Sequence, residues 1–282
     1  MFSFVIPCYN NAELLKKTLA GLCRNQGGAA FEVILVDNNS FNDDINAVYE
    51  KYVHRLEIFL VRQPKLSHPK ATSRARNLGL KLSRYEWIVN LDADCVPHPG
   101  YLRVLDQYLS HTDQTNLIIV GLRQFVDLTQ FSDEDILNNL VDFQALPQVA
   151  SPANYGQKVD RRLPFLTTMD SWTHPWAFFH SCNLIYRKAT AAAVGGYDGI
   201  FDGCWGYEDV DFAHRMITRG GAQPVYLPGI DCYHQDSELS NRQNRFDKVN
   251  NRNWQIITQR IPGFESFKVQ QYAALNKDIV CC

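Results

Sequence analysis

Hydrophobic and polar positions follow two different patterns along the first 125 residues. Short apolar runs rich in β-branched and aromatic residues predict strands, whereas apolar residues repeated every three or four positions predict helices. The predicted strands cover residues 2–6, 32–36, 56–61, 87–91 and 117–120, and the predicted helices run from the cap Asn11 to the Gly27–Gly28 pair, over 43–52 and over 71–82. This alternation predicts an α/β fold with a mostly parallel central sheet and helices on both faces.

The ends of the predicted strands carry polar residues that bear on function. Parallel sheets bind ligands at the carboxyl ends of their strands. These ends read PCYN after the first strand, DNNS after the second and DAD after the fourth. None carries the glycine patterns of dinucleotide-binding or P-loop turns, which disfavours a dehydrogenase and a P-loop nucleotide hydrolase.

The pattern changes after residue 125. A predicted helix over 132–146 leads into an irregular stretch rich in Pro, Asn and Gly that reaches 176, and a strand-like run follows over 178–188. A further helix begins near 208 and ends at Gly220–Gly221. Its apolar face carries Val210, Ala213 and Ile217.

The chain therefore divides into three expected parts. Residues 1–125 form one α/β half, residues 126–240 form the second half of the same domain, and residues 241–282 form a helical extension laid over the core. A long irregular stretch inside a compact domain, such as the one before 176, is typical of a functional loop.

Composition and charge narrow the function classes. The chain has 282 residues, is 45% hydrophobic and 21% charged, and carries a net charge of −2, which gives no case for nucleic-acid binding. No apolar run approaches the ~20 residues that span a bilayer, and the sequence opens on a strand-like run rather than a charged leader. We expect a cytoplasmic protein, and peripheral docking on the cytoplasmic face of a membrane stays open.

The cysteines favour a reducing compartment. The chain contains eight of them, at positions 8, 23, 95, 182, 204, 232, 281 and 282. They form no C-x-x-C pair, so a zinc cluster and a disulfide framework are both disfavoured. The terminal Cys281–Cys282 pair does not match a prenylation signal, and we treat it as an exposed tail.

Two carboxylates, Asp92 and Asp94, follow the fourth predicted strand. Residues two apart on an extended chain point to the same side, so both can face one ligand. A hard divalent cation relieves the repulsion between such close charges. The alternative interpretation is a solvated turn that uses Asp as a turn former.

A second acidic group, Glu208 and Asp209, begins the helix behind Trp205 and Tyr207. Acidic residues in a first turn also stabilise the helix dipole, which is the simpler explanation. Asp209 lies off the apolar face, and a carboxylate fixed at a helix start suits a general base. His234 in the run CYHQD is a candidate ligand for an ion at the Asp92–Asp94 site. Mn²⁺ accepts an imidazole ligand better than Mg²⁺ does.

Several stretches, in this order and spacing, resemble a known family. They read FSFVIPCYNNAELLKKTLAGL, FEVILVDNNS, ATSRARNLGL, WIVNLDAD, CNLIYRK and GGYDGIFDGCWGYEDVDFAHRM. Together they are similar to family-two glycosyltransferases of the GT-A fold, which use nucleotide-diphospho-sugars. The later half resembles the chondroitin-polymerase and β-galactosyltransferase branch. The resemblance covers residues 1 to 235, is weak between 130 and 176, and implies that the first half binds the nucleotide-sugar and the second the acceptor.

The resemblance implies roles in donor binding. Pro7, Tyr9 and Asp37 correspond to residues that frame the nucleobase, most often uracil, and Arg76 and Asn77 to residues near the diphosphate. The second strand ends in DNNS, whereas many relatives have a second acidic residue and a glycine there, so the base preference stays open.

It also implies a metal site and a sugar site. Asp92 corresponds to a residue that holds the ribose or a metal-bound water, and Asp94 and His234 to the protein ligands of the metal. Mn²⁺ is the expected ion, with Mg²⁺ as the alternative. Asn183 corresponds to a residue that lines the sugar site.

The acceptor side follows in the same way. The resemblance implies that Glu208 binds an acceptor hydroxyl, that Asp209 deprotonates it, and that Trp205 and Tyr207 form aromatic walls around a glycan or other hydroxyl acceptor. One base without a protein nucleophile implies a single displacement with inversion. A divalent cation would stabilise the charge that develops on the departing diphosphate.

Other functions stay open at this stage. A retaining glycosyltransferase is one alternative, although the Glu208–Asp209 pair favours inversion. A nucleotide-sugar-binding protein that has lost activity is another, although the metal carboxylates and the base are all present. A sugar nucleotidyltransferase ranks lower, because its first strand is expected to lead into a glycine-rich basic loop and here leads into PCYN.

Overall fold

The fold is described from a computed structural model of the chain. The description covers residues 1–42, 44–64, 71–151, 154, 156–235, 251–268 and 270. Asp43, which the sequence places at the start of the second helix, and the Cys281–Cys282 tail lie outside the described residues.

The first half alternates strands and helices as the hydrophobic pattern predicts. In chain order the elements are β1 Phe2–Cys8, α1 Ala12–Cys23, β2 Phe31–Asp37, α2 Ile45–Tyr52, β3 Ile58–Arg62, α3 Thr72–Leu82, β4 Trp87–Leu91, β5 Cys95–Pro97, α4 Tyr101–His111, β6 Leu117–Val120 and β7 Arg123–Val126. Helix α1 ends at Cys23, four residues before the Gly27–Gly28 pair that was expected to end it.

Seven of the described strands form the central sheet, in the order β3-β2-β1-β4-β8-β6-β9. Strands β1, β2, β3 and β4 run parallel, and β8 (Asn183–Arg187) is antiparallel to both of its neighbours. Residues on both faces of β1 are buried, because helices cover the sheet on each side. The predicted fold class, a mostly parallel α/β sheet, is confirmed.

A close backbone approach fixes helix α3 on this sheet. A Cβ atom at Gly79 would lie 2.2 Å from Cγ1 of Val5, so only glycine allows α3 to pack this closely on β1. The same helix carries Arg76, and the tight contact therefore sets the position of that side chain relative to the strand ends.

A smaller sheet joins distant parts of the chain, in the order β5-β10-β7, where β10 is Cys232–Gln235. Strand β10 is antiparallel to β5, with His234 opposite Cys95, and parallel to β7, with His234 opposite Phe125. This pairing brings the end of β4 and the CYHQ run together.

The predicted helix over 132–146 is wrong in length. Helix α5 spans only Asp133–Leu137, with a capping box formed by Ser132 and Asp135. Asn139 has a φ of 60°, and the Asp142 carboxylate accepts hydrogen bonds from the backbone of Gln144. Such local side-chain bonds offer the backbone an alternative to the helix and end it early.

The second half contains shorter elements than the sequence predicts. Its elements are α6 Leu163–Leu166, 3₁₀ turns at Met169–Ser171, Pro175–Phe178 and Gly199–Phe201, α7 Lys188–Ala193, α8 Glu208–Thr218 and β9 Gln223–Tyr226. The predicted strand over 178–188 is a strand only from Asn183, because Pro175 begins a 3₁₀ turn before it. On α8, Val210 and Ala213 are buried as expected, whereas Ile217 is half-buried and Met216 takes its place in the core.

The C-terminal part that the structure describes packs on the core. Helix α9 spans Arg252–Arg260, and Ile257, Phe264 and Phe267 join the apolar cluster that contains Phe178 and Phe212. The predicted helical extension over 241–282 stays a prediction, because residues 236–250, 269 and 271–282 lie outside the description. Within the described residues, no helix is both long enough and apolar enough to cross a membrane.

Candidate active site

Two loops meet at the carboxyl edge of the central sheet. Strands β1 and β2 are parallel and end side by side, with Cys8 opposite Asp37. Asn10, whose φ is 48°, accepts hydrogen bonds from the backbone N–H groups of Phe41 and Asn42, and its own N–H donates to Ser40 Oγ. These bonds hold the two strand-end loops as one unit.

The residues predicted to frame a nucleobase lie in this unit. Pro7 and Tyr9 are half-buried, and the Tyr9 ring lies 6.1 Å from the ring of Phe41, which is 72% exposed. Asp37 is fully buried, and its carboxylate accepts from Ser40 N at 2.8 Å and from Arg62 Nε at 2.8 Å. Its predicted contact with a base stays untested.

Arg76 connects the strand ends to helix α8. Its guanidinium is buried, with Nη2 3.2 Å from Oδ1 of Asp92 and Nη1 2.9 Å from Oε1 of Glu208, and it lies over the ring of Tyr197. Burial opposes the charge on Arg76, but Asp92 and Glu208 outweigh burial and raise the pKa of Arg76. A buried guanidinium therefore lies between the strand end that carries Asp92 and the start of helix α8.

Two predicted donor residues have their side chains engaged within the protein. The Asn77 carboxamide bonds both the N–H and the C=O of Tyr197, at 2.8 and 2.7 Å. Asn183 is fully buried, accepts from the Tyr101 hydroxyl at 2.7 Å and donates to Ile230 O at 2.7 Å. Asn183 therefore lies in the core with its amide satisfied by buried backbone and phenol groups, and its predicted place beside a sugar stays a prediction.

Asp94, Cys95 and His234 form a group of candidate metal ligands. One potential ligand atom from each lies within 4.8 Å of the other two, and His234 Nε2 is 3.7 Å from Asp94 Oδ2. Asp92, predicted as a third metal residue, points instead to Arg76. The turn between them is closed by the Cys95 N–H bonding Asp92 O at 3.0 Å.

The donor set fits a divalent cation. The His234 imidazole is buried, its Nδ1 has no hydrogen-bond partner among the described residues, and its Nε2 is too far from Asp94 for a hydrogen bond. A buried imidazole without partners is costly unless a ligand satisfies it. Nitrogen and carboxylate oxygen suit a divalent cation such as Mn²⁺. The Cys95 sulfur, which the sequence analysis did not identify, also lies in this group, but it is a soft ligand that Mn²⁺ does not prefer.

Asp209 stands at the start of α8 in a half-buried position. Burial first, and then the neighbouring charge of Glu208, raise the pKa of the Asp209 carboxyl to about 7, while Arg76 acts in the opposite direction. One of its oxygens accepts from Val210 N at 2.8 Å. A carboxyl that titrates near neutrality is suited to accept a proton at that pH.

Aromatic side chains border the Asp209 end of α8. Tyr207 has a φ of 71°, and its ring lies 5.6 Å from Trp254 of helix α9. Trp205 is 45% exposed. The structure therefore places Trp254 beside Tyr207, one of the two predicted aromatic walls. No local sequence signal indicated Trp254, because it is distant from Tyr207 in the chain.

The start of helix α9 holds the loop before α8. The buried Asn253 side chain donates to Phe201 O at 2.8 Å and to Gly206 O at 2.9 Å, and Asn251 Nδ2 donates to Trp205 O at 3.0 Å. From the other side, Asp202 accepts from Ser73 N of α3 at 2.9 Å. The loop is thus fixed between α3 and α9.

The fold and the side chains at its carboxyl edge define the class of the protein. A mostly parallel sheet with a D-x-D turn at its carboxyl edge and a carboxylate-bearing helix opposite is the GT-A arrangement of nucleotide-sugar transferases. The sequence model described as "Glycosyl transferase family 2" matches residues 3–195. The chain belongs to this family.

Known proteins are similar over most of the chain. "Chondroitin synthase" of Escherichia coli is 29% identical over 98% of this chain, which spans 41% of that protein. The chain therefore spans less than half the length of this relative.

Two solved structures share the fold. Staphylococcus aureus "TarS 1-349 in complex with UDP-GlcNAc" superposes with a TM-score of 0.56 and 18% identity, over 84% of this chain and 58% of that one. "Mannosyltransferase PcManGT from Pyrobaculum calidifontis in complex with GDP-Man and Mn2+" superposes with a TM-score of 0.55 and 18% identity, over 82% of this chain and 56% of that one. At this identity they show the fold alone.

Proposed function

We propose that the chain transfers a sugar from a nucleotide-diphospho-sugar to an acceptor hydroxyl with the help of a divalent cation. The observation that carries this proposal is the Arg76 bridge, which joins Asp92 at the strand edge to Glu208 beside Asp209. This contact supports the proposal that the donor and the acceptor bind side by side, on either side of Arg76. Family membership agrees with such a reaction.

The donor would lie along the carboxyl edge. Tyr9, Asp37 and the Asn10–Ser40 unit would hold the base and ribose, and the diphosphate would extend toward Asp94 and His234. The two fold neighbours hold a uridine and a guanosine nucleotide, so the fold accepts either base. We propose a UDP-sugar.

Asp94 and His234 would hold a divalent ion, with Mn²⁺ proposed because one ligand is imidazole. When bound, such an ion stabilises the negative charge that develops on the diphosphate leaving group. Asp92 would orient the donor through its bond to Arg76.

Asp209 would act as the general base. The acceptor oxygen attacks the anomeric carbon, its proton passes to the Asp209 carboxylate, and the bond from that carbon to the phosphate oxygen breaks on the opposite side. This single displacement inverts the anomeric configuration. Glu208 would orient the acceptor hydroxyl, and Trp205, Tyr207 and Trp254 would contact the faces of a glycan acceptor.

Incubation with UDP-sugars and Mn²⁺, followed by proton NMR of the product, tests the proposal. We expect UDP release that requires the ion, and a product of inverted configuration. Binding of UDP-sugars without turnover, across a broad panel of hydroxyl acceptors and water, would instead support an inactive binding protein. A product of retained configuration would refute the role of Asp209 as the base for single displacement.

A further inference from the structure

A buried charge cluster lies beneath the small sheet and has no role in the proposed reaction so far. It consists of Arg123 on β7 and of Asp160 and Arg162 in the irregular segment before α6. The Asp160 and Arg162 side chains are each 1% exposed, and the Arg123 side chain is 11% exposed. Two guanidinium groups thus share one carboxylate inside the protein, which leaves one positive charge without a counter-charge in the cluster.

Arg162 takes most of the hydrogen-bonding capacity of this cluster. Its Nη2 lies 2.7 Å from Asp160 Oδ2 and its Nε 3.1 Å from Asp160 Oδ1. Its remaining donors bond Phe178 O at 3.2 Å and Gly121 O at 3.1 Å. Asp160 also accepts from the backbone N–H of Arg123 at 3.1 Å. The hydrogen-bonding groups of Asp160 and Arg162 therefore satisfy one another and the nearby backbone without the Arg123 side chain.

Among the residues that the structure describes, none accepts a hydrogen bond from the Arg123 side chain. Its Nε is buried with no hydrogen-bond partner among the described residues, and Asp160 Oδ2 lies 3.7 Å from it, beyond hydrogen-bond distance. An arginine carries its charge at every physiological pH and offers five N–H donors. Burying such a group without an acceptor costs free energy, so its position calls for an anionic partner.

Strand register places Arg123 on the same side of the small sheet as the candidate metal ligands. In the parallel pair, Arg123 is opposite Cys232 and Phe125 is opposite His234, so all four side chains share one face. The guanidinium lies 5.2 Å from the Phe125 ring centre, and that ring lies 5.0 Å from the His234 ring.

Strand pairing also places Arg123 next to the candidate metal ligands. Cys95 lies opposite His234 in the antiparallel pair, and His234 lies opposite Phe125, two positions after Arg123. Cys95 belongs to the Asp94–His234 group. The free donors of Arg123 thus lie next to the site in which the donor substrate is proposed to bind.

We propose that Arg123 binds an oxyanion of the nucleotide-sugar donor, either a phosphate oxygen or a carboxylate on the transferred sugar. The inference rests on the proposed function. The planar guanidinium can form two parallel hydrogen bonds with either group. The Asp160–Arg162 pair orients the strand end that carries Arg123, through the bonds to Gly121 O and to the Arg123 N–H.

An Arg123→Met variant separates binding from folding. Met keeps an apolar side chain over Phe125 and removes the charge, which leaves Arg162 and Asp160 as a balanced pair. We expect the melting temperature of the unliganded variant to equal or exceed that of the wild type. Arg187→Met is the matched control, because Arg187 also lies over an aromatic ring, Trp87 at 5.0 Å, but pairs with Glu86 away from the site.

Calorimetric titration in the presence of Mn²⁺ then measures the dissociation constants of UDP, UDP-N-acetylglucosamine and UDP-glucuronate for each variant. We expect Arg123→Met to raise Kd roughly tenfold or more, the loss typical of a charged hydrogen bond. Loss for all three ligands identifies a phosphate, and loss for UDP-glucuronate alone identifies a carboxylate. Arg123→Lys keeps the charge but not the planar guanidinium, so its Kd should lie between those of the wild type and Arg123→Met. Arg187→Met should bind the ligands as the wild type does.

Unchanged affinity for all three ligands in Arg123→Met would overturn the inference and leave the proposed function intact. A large drop in melting temperature with unchanged affinity would also overturn it, by showing that Arg123 only supports the fold. A wild-type protein that binds none of the ligands would contradict both the inference and the proposed function.

Discussion

At the residue scale, the account depends on how neighbouring charges tune one carboxyl group. Asp209 is desolvated at the start of α8, beside Glu208 and within the influence of Arg76. The sequence indicated Asp209 by its place before an apolar helix face, but the Arg76 bridge could not be predicted, because nothing in ATSRARNLGL shows which face of α3 meets α8.

We predict that Asp209→Asn lowers turnover by a factor on the order of 10² or more, the usual contribution of a general base. The amide keeps the size of the side chain but cannot accept the proton, so donor affinity measured by calorimetry should stay nearly unchanged. Asp106→Asn on the exposed side of α4 is the control. Lost donor affinity together with normal turnover at saturation would contradict the assignment of Asp209 as the base.

The same carboxyl group makes stability depend on pH. Its pKa in the folded protein is about 7, above the ordinary value of 3.8, so the folded state binds the proton more tightly than the unfolded chain does. The stability that this proton contributes is present at pH values below 3.8 and is lost as the pH rises through 7.

We therefore predict that the melting temperature of Asp209→Asn minus that of the wild type increases as the pH rises from 5 to 8, because asparagine cannot ionise. Differential scanning calorimetry of both proteins across this range gives the comparison. A difference in melting temperature that is constant with pH would show that the pKa of Asp209 is not raised.

At the scale of the elements, helix α9 connects the C-terminal part to the loop that precedes α8. The polar sequence NNRNWQIITQR predicted a helix over the core, but not the place where it docks. Its docking depends on Asn253, which donates to two carbonyl groups of the Phe201–Gly206 loop. The pairing of an amide with backbone groups fifty residues away leaves no periodic signal in the sequence.

We predict that Asn253→Asp lowers turnover by roughly tenfold and leaves donor affinity unchanged. Aspartate has the same shape but only accepts hydrogen bonds, so both loop carbonyls lose their donor, a loss of about 1–3 kcal/mol each. The effect should appear in kcat rather than in the KM of the donor, because the loop orients Glu208 and Asp209.

Gln255→Ala in the same helix is the control for this prediction, because Gln255 is exposed. It should retain wild-type turnover. Equal turnover in Asn253→Asp and Gln255→Ala would show that α9 does not position the catalytic helix.

The elements themselves could be predicted to different degrees. Strands β1, β2 and β4 were readily predicted, because strands buried on both faces read as continuous apolar runs. The predicted length of the helix over 132–146 was wrong, because the spacing of apolar residues does not reveal that the Asp142 side chain accepts hydrogen bonds from the local backbone.

At the scale of the whole molecule, the group of candidate metal ligands is assembled by strand pairing between remote segments. The family resemblance had implied that Asp94 and His234 bind one ion, and the pairing of β10 with β5 is what brings these two side chains together. The same pairing adds Cys95 and, through β7, Arg123. Neither followed a recognisable motif, because their roles arise only from the face of the small sheet on which they lie.

The central claim is that one divalent cation at Asp94 and His234 holds the diphosphate of the donor. Calorimetric titration of UDP with and without Mn²⁺, in the wild type and in Asp94→Ala, tests it most directly. We predict that Mn²⁺ strengthens binding of UDP to the wild type by at least about tenfold and has no effect on Asp94→Ala. Equal affinity of the wild type for UDP with and without the ion would contradict the account.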